Sequence, residues 1–212
     1  MGHANTLSRT ILLILVCACA ACNGSPSRTA APGALLLRDN FDGSGRWDQA
    51  DVAAASVLIR DGVFHFEADA GRYIFSVDYQ TQTNVIVEVD AFHLSDDDSS
   101  GFGIICRANA DGEGYYFLIG ADGSGTIRRS RGRDVTPLVA WTKTGGIVTG
   151  ASNRIRAVCD GDYLALYVNG IFVGEARDSL YSSGYTGLTV VTTRPGQRIS
   201  VDFDVLRIYS VP

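Results

Sequence analysis

The feature of this sequence that most restricts its fold is a series of short β-forming runs, each closed by a turn. From Ala34 onward the runs are rich in Val, Ile, Tyr, Phe and Leu, and apolar residues alternate with polar ones. Asp61-Gly62 and Asn169-Gly170 are typical of tight hairpins, because these residues tolerate the positive φ that such turns need. The pattern predicts strands over residues 56–60, 63–68, 73–77, 84–94, 101–108, 115–119, 126–130, 135–141, 154–159, 163–168, 171–176, 186–192 and 200–209.

Antiparallel sheets are the arrangement that this pattern favours. Helical periodicity is almost absent, so turns rather than helices join the strands. Each sheet must then cover one apolar face, and it can do so by packing on a second sheet. We therefore predict an all-β fold, a two-sheet antiparallel sandwich. The sequence shows no internal repeat with the period of a propeller blade.

The N-terminal residues have the order that is typical of an export signal. Arg9 precedes an apolar run over residues 11–16, which leads into small residues and cysteines. This run is too short to cross a bilayer, which takes about 20 residues of helix. A cysteine after small residues resembles the bacterial lipobox, in which that cysteine is acylated. We favour Cys22 as the acylated cysteine, with Cys19 as the second candidate. The alternative is an ordinary signal peptide without acylation.

This interpretation divides the chain into three parts. We expect a lipoprotein signal peptide over residues 1–21, a flexible tether over 22–33, and one folded domain over 34–212. The lipid would hold the domain on the outer face of a bacterial membrane after export.

Two cysteines lie within the predicted domain. Strand alternation places Cys106 on the same face as Ile104, and Cys159 on the same face as Ile155 and Ala157. Both thiols are therefore expected to point into the core. In an exported domain they can form a disulfide, or they can remain two separate buried side chains. The sequence leaves both outcomes open.

An ordered set of motifs extends over nearly the whole predicted domain and resembles one superfamily. The motifs are Asp39-Asn-Phe-Asp42 with Trp47, Gly101-Phe-Gly-Ile-Ile-Cys-Arg107, Gly114-Tyr-Tyr-Phe-Leu118, Asn153-Arg-Ile-Arg-Ala-Val158, Leu164-Ala-Leu-Tyr-Val-Asn-Gly170, Gly184-Tyr-Thr-Gly-Leu188 and Val201-Asp-Phe-Asp-Val205. Their order is similar to that of concanavalin A-like jelly-roll domains, and the laminin G-like and 3-keto-disaccharide hydrolase-like branch is the most similar. This resemblance implies a jelly-roll sandwich. It also implies a structural calcium ion between the N- and C-terminal strands, with Asp39, Asp42 and Asp204 as the candidate ligands.

The resemblance leaves function open, because such folds include lectins, glycan-binding modules, glycosidases and structural domains. Residues 87–93 resemble the Glu-x-Asp-x-x-Glu strand of laminarinase-like glycosidases, with Glu88 and Asp90 in place. A retaining glycosidase needs two carboxyl groups about 5 Å apart, and the position of the second glutamate is occupied by Phe92 or His93. His93 is expected to face solvent. The acidic run at residues 96–98 could bind calcium, but a solvated turn is the favoured interpretation.

We therefore expect a non-catalytic envelope module that binds carbohydrate or acts as a scaffold. Aromatic rings can stack on sugars while planar polar groups hydrogen-bond to them, and the candidate residues are Arg107, Tyr116 and Trp141. The alternatives are a hydrolase acting on a modified disaccharide through the free acids Glu67, Glu88 and Asp90, or a purely structural domain.

The charge of the chain narrows the choice of partners. Its formal net charge is −5, whereas proteins that bind nucleic acid carry basic surfaces against the phosphates. The expected partners are a glycan or an envelope protein, and the membrane through the N-terminal lipid.

Overall fold

The computed structural model describes residues 25–28, 31–43, 45–69, 71, 73–95, 100–192, 194 and 196–212. Cys19, Cys22 and the acidic run at residues 96–98 lie outside the described residues, so the predictions about them remain predictions. None of the described residues belongs to a helix long and apolar enough to cross a membrane.

The described residues form two antiparallel sheets that pack face to face. The strands of the nine-stranded sheet are β1 (Leu35–Asp39), β2 (Ala50–Val52), β3 (Ala55–Arg60), β4 (Val63–Asp69), β6 (Val85–His93), β11 (Asn153–Asp160), β12 (Tyr163–Val168), β13 (Ile171–Arg177) and β15 (Arg198–Ser210). The strands of the six-stranded sheet are β5 (Tyr73–Gln82), β7 (Gly101–Ala108), β8 (Tyr115–Gly120), β9 (Ser124–Arg131), β10 (Asp134–Lys143) and β14 (Gly184–Val191). The predicted all-β two-sheet sandwich is confirmed.

The strand order mixes distant parts of the chain. The nine-stranded sheet runs β13-β12-β11-β6-β15-β4-β3-β2, with β1 paired to β15. The six-stranded sheet runs β10-β9-β8-β7-β14-β5. Strands that are far apart in sequence therefore lie side by side at the centre of each sheet.

The core lies between the two sheets and follows the predicted alternation. The inner faces supply one continuous cluster that includes Phe66, Ile104, Phe117, Leu166 and Phe203, all of them fully or almost fully buried. Aromatic edge-to-face contacts, such as the Phe66–Phe203 pair at 5.3 Å between ring centroids, add to the packing.

The hairpin turns have the predicted backbone conformation. Asp61 and Gly62 have φ values of 52° and 78°, and Asn169 and Gly170 have 51° and 80°. Two consecutive residues in the left-handed region match the right-handed twist of the strands that they join.

Two strands were not predicted. β1 is short and half exposed, and β2 is exposed along its length. Neither carries a clear apolar alternation, and each exists through pairing with a neighbouring strand, β1 with β15 and β2 with β3. Every strand predicted from the sequence overlaps a strand of the structure.

Part of the predicted tether lies against the folded domain. The Ser27 amide donates to Glu175 Oε2 at 2.9 Å, and Arg28 forms an ion pair with Asp160. The Arg28 guanidinium also lies 5.1 Å from the centre of the Tyr163 ring.

Candidate functional site

The outer face of the six-stranded sheet carries a second apolar cluster, separate from the core. It consists of Val77, Ile105, Ala108, Tyr116, Leu118 and Val191, with Phe75 and Tyr185 packed against them. Alternation explains this separation, because residues 104, 117 and 188 on the same strands point into the core. The six central members are at most 3 % exposed, so other parts of the chain cover this cluster, and only the exposed side chains around it can contact a ligand.

Trp141 extends over this outer face from β10. The position that a Cβ atom would take at Gly101 lies 3.0 Å from Trp141 Cη2 and 3.6 Å from Leu118 Cδ1. The indole therefore rests where Gly101 leaves space for it. The side chain is still 42 % exposed, so part of the ring is open to a ligand.

Tyr116, which the sequence suggested as a ligand contact, is not accessible to a ligand. It is buried, its hydroxyl donates to the Gly112 carbonyl at 2.6 Å, and burial raises its pKa. Its ring packs edge-on against Tyr73 at 6.1 Å between centroids. Tyr116 therefore supports Tyr73, which is 40 % exposed. Tyr79, whose ring packs against Tyr185 at 5.1 Å between centroids, is a second exposed tyrosine on this face, at 51 %.

Tyr73 and Trp141 lie on opposite sides of the same face. Gly101 pairs with Val191, and Val191 pairs with Tyr73. Two strand spacings, about 10 Å, therefore separate Gly101 from Tyr73 along the sheet. Sequence reasoning missed Tyr73 because its exposure depends on its neighbours in the fold.

Arg128 lies on the outer face as well. It pairs with Tyr116 on β8 and with Pro137 on β10, and the residue before it, Ile127, points into the core. The side chain is partly buried. Among the described residues none accepts a hydrogen bond from its buried Nε.

Arg107 is not placed as a ligand contact. It is 2 % exposed and has a φ of 53°. Its Nε donates to the Thr83 carbonyl at 2.9 Å. Its Nη1 donates to the carbonyls of Gly161 at 2.7 Å and Tyr181 at 3.0 Å, and its Nη2 donates to Asn84 Oδ1 at 3.2 Å.

These bonds join Arg107 to three separate segments of the chain. The guanidinium is therefore occupied in holding turns together at one end of the sandwich. Arg107 also lines a pocket of about 250 Å³ next to Tyr181 and Tyr185, but its four hydrogen bonds are directed to the protein itself.

The carboxylates of the hydrolase hypothesis are all bound to arginine rather than free. Arg198 lies 2.6 Å from Glu67, and Arg156 lies 2.6 Å from Glu88. Arg154 binds both oxygens of Asp90, at 2.8 and 3.0 Å. The prediction that these acids are free was wrong, because the β11 arginines lie directly opposite Glu88 and Asp90, and Arg198 on β15 lies diagonally across from Glu67.

One carboxylate pair was missed in the sequence. Asp204 on β15 lies directly opposite Asp90 on β6, and both line a surface depression with Arg154 and Arg156. Asp90 is already bound by Arg154, and Arg207 lies 3.5 Å from it, while Asp204 is exposed. The surroundings are those of an ion-pair network, whereas a glycosidase acid requires an environment that keeps it protonated.

His93 does not simply face solvent as predicted. Its ring stacks on Phe102 at 5.5 Å with an interplanar angle of 5°, and its Nε2 is 2.9 Å from the Ser95 hydroxyl. The residue is partly buried at one end of the core.

The three candidate calcium ligands are not brought together. Asp39 accepts hydrogen bonds from the Phe41 amide at 2.8 Å and from Trp47 Nε1 at 2.9 Å, so it fixes the loop after β1. Asp42 is an exposed loop residue, and Asp204 lies on β15, on the outer face of the nine-stranded sheet. Within the described part of the chain, no three His, Cys, Asp or Glu side chains form a group that could hold a metal ion.

Cys106 and Cys159 are free and buried. They lie on opposite sheets, on β7 and β11, in the same core cluster. Burial and a hydrogen bond with Cys106 raise the pKa of the Cys159 thiol well above its usual range. The two thiols therefore meet across the sandwich without a bond in this structure, and the disulfide remains a prediction.

Comparison with solved structures identifies the fold. Carbohydrate-binding module CBM66 from Bacillus subtilis superposes with a TM-score of 0.64 at 17 % identity over 77 % of this chain and 95 % of its own. A protein of unknown function with a galectin-like fold from Bacillus subtilis gives 0.65 at 13 % identity over 86 % and 98 %. A β-glucanase from Bacillus licheniformis gives 0.60 at 11 % identity over 84 % and 99 %.

The chain therefore has the concanavalin A-like jelly-roll fold that its motifs imply. No family model matches the sequence, and no curated protein matches it. Identities at this level show the fold alone.

Proposed function

We propose that the protein is a non-catalytic carbohydrate-binding module and that it binds sugars on the outer face of the six-stranded sheet. The observation that carries this proposal is Trp141, an indole that is 42 % exposed and lies against Gly101. A rigid aromatic ring with one side on the protein and another open to solvent is suited to stacking on the apolar side of a pyranose.

The rest of the face supports the same function. Tyr73 provides a second exposed ring on the same sheet face, held by Tyr116. A carbohydrate-binding module and several glycosidases are among the proteins with this fold. The hydrolase hypothesis is less favoured, because arginines bind Glu67, Glu88 and Asp90.

The proposed setting is the outer face of a bacterial membrane, reached through acylation of Cys22 or Cys19. The support is the sequence of residues 1–22, and metabolic labelling with a palmitate analogue tests it. Loss of label in Cys22→Ser but not in Cys19→Ser would identify the acylated residue. An unlabelled wild type would contradict the anchor.

A glycan-array screen of the purified chain tests the proposed function, with calcium in one arm and a chelator in the other. We expect reproducible binding that Trp141→Ala reduces about tenfold or more, because truncating a tryptophan that anchors a ligand costs about 2 kcal/mol or more and about 1.4 kcal/mol is a factor of ten. The control is Trp47→Phe, since Trp47 is buried in the core. A blank array in both arms would contradict the proposal, and binding in the calcium arm alone would identify the calcium requirement that the sequence predicts.

A further inference from the structure

We infer that the proposed site selects an acidic sugar, one that carries a carboxylate or a sulfate, and that Arg128 recognises this group. The inference rests on the proposed function, because Arg128 and Trp141 share one sheet face. It adds the chemical class of the ligand to the site.

Strand register places Arg128 beside the Trp141 platform. Ile127 pairs with Val139, and Gly125 pairs with Thr142, so Trp141 lies next to the segment 125–127 of β9. Arg128 is the next residue that points outward after Thr126. Two residues along a strand correspond to about 7 Å, so the Arg128 backbone lies that far from the part of β9 that Trp141 crosses. The indole itself extends on to Gly101 of β7, so the ligand that contacts both must be an oligosaccharide.

The hydrogen-bonding state of Arg128 sets it apart from the other arginines of the site region. Its Nε is buried, and in the described part of the chain it has no acceptor. The next arginine along, Arg129, is ion-paired with Asp178 at 2.5 Å. A buried N–H of a charged group without an acceptor is unfavourable, so a shift of the Arg128 side chain that brings this N–H to an oxygen of a bound ligand would be favourable.

The chemistry of the guanidinium selects the ligand group. Arg presents parallel N–H donors that fit the two oxygens of a carboxylate or a sulfate. A neutral sugar hydroxyl can accept only one such bond and brings no opposite charge. Arg128 therefore favours an anionic substituent over a hydroxyl at that position.

The acidic residue Asp122, at the adjoining end of the face, does not oppose this preference. Asp122, whose Oδ1 lies 2.7 Å from the Cβ position of Gly120, accepts from Lys143 Nζ at 2.8 Å and from the Ser124 amide at 3.0 Å. Its charge is already balanced locally, although the whole chain is acidic.

The test compares matched pairs of oligosaccharides that differ only in the anionic group. The probes are trigalacturonate with its methyl ester for the carboxylate, and a κ-carrageenan oligosaccharide with its desulfated form for the sulfate. We expect the wild-type protein to bind the anionic member of at least one pair with an affinity at least about tenfold higher than that for the neutral member. A hydrogen bond to a charged group contributes about 1.5 kcal/mol or more, and about 1.4 kcal/mol corresponds to a factor of ten in affinity. The pair that shows the difference identifies the group.

Three variants separate this inference from the proposed function. Arg128→Gln should lower the affinity for the anionic member toward that for the neutral member and so remove the preference, whereas Trp141→Ala should weaken binding of both. Arg131→Gln, which removes an exposed arginine at the end of the same strand, is the charge-matched control. Thermal melting of each variant reports whether the fold is intact.

Equal binding of both members of each pair by wild type, or an unchanged preference in Arg128→Gln, would overturn the acidic-ligand inference and leave the Trp141 platform standing. Absence of binding to any probe, together with a blank array, would overturn both.

Discussion

Replacing Arg107 by methionine should destabilise the fold rather than weaken sugar binding alone. The guanidinium makes four hydrogen bonds to acceptors on three segments, at 2.7 to 3.2 Å. Bonds from a charged donor contribute about 1.5–3 kcal/mol each. The substitution would also relieve the desolvation of a buried cation, a gain of several kcal/mol. Four such bonds amount to roughly 6–12 kcal/mol, and the gain offsets part of this, which leaves a net loss of about 4 kcal/mol.

Thermal and urea denaturation measure this loss. For a domain of this size each kcal/mol lowers Tm by about 2–4 °C, so we expect Arg107→Met to melt roughly 8–16 °C lower. Arg107→Lys should lower the free energy of unfolding almost as much as Arg107→Met, because an ammonium group cannot donate to three segments as a planar guanidinium does. Arg131→Met removes an exposed arginine and should change the free energy of unfolding by less than about 0.5 kcal/mol.

The opposite result is equally informative. If Arg107→Met melts within about 2 °C of wild type but no longer binds sugar, then Arg107 is a ligand contact and its hydrogen bonds contribute little to stability. The structural interpretation of Arg107 given above would then be wrong.

Further predictions concern the Trp141 platform and the thiol pair. Gly101→Val should lower sugar affinity about tenfold or more in titration calorimetry. The Cβ position at residue 101 is only 3.0 Å from Trp141 Cη2, so a valine side chain would displace the ring. Unchanged affinity would show that the ring position is unimportant. In reduced native protein at pH 8, iodoacetamide should leave Cys106 and Cys159 unlabelled, since both are buried and the Cys159 pKa is raised; rapid labelling before unfolding would refute their placement. The raised Cys159 pKa contributes stability below the pKa of an unfolded cysteine, about 8.5, and this contribution should decline as the pH rises above it; a Cys159→Ala variant with the same pH dependence in urea denaturation would contradict this. Refolding from urea with oxidised glutathione, which can react with the thiols while they are exposed, should join them and add about 4 kcal/mol to the free energy of unfolding; an intact mass that stays that of the dithiol would exclude the bond.

The candidate site was only partly predictable. Trp141 was named from the sequence and is exposed on the outer face of a sheet, but Tyr116 and Arg107 were named on the same grounds and are buried. A residue type indicates what chemistry a side chain can do. Its accessibility depends on the loops and strands that the fold places above it, such as Gly112 above Tyr116.

The sequence by itself determined most of the strands, the turns and the alternation of side chains between the two sides of a strand. These depend on neighbours within a few positions, through alternation and through the φ preferences of glycine and asparagine. It also determined that Cys106 and Cys159 point into the core, as they do.

Only the tertiary structure decided which strands pair, and therefore which side chains meet. Arg107 binds acceptors 23 to 74 residues away in the chain, and Asp90 meets Arg154 and Asp204 from strands far along the sequence. Such contacts depend on the order β11-β6-β15 and β8-β7-β14. Local residue patterns cannot specify this order, because every strand in a sandwich shows the same alternation.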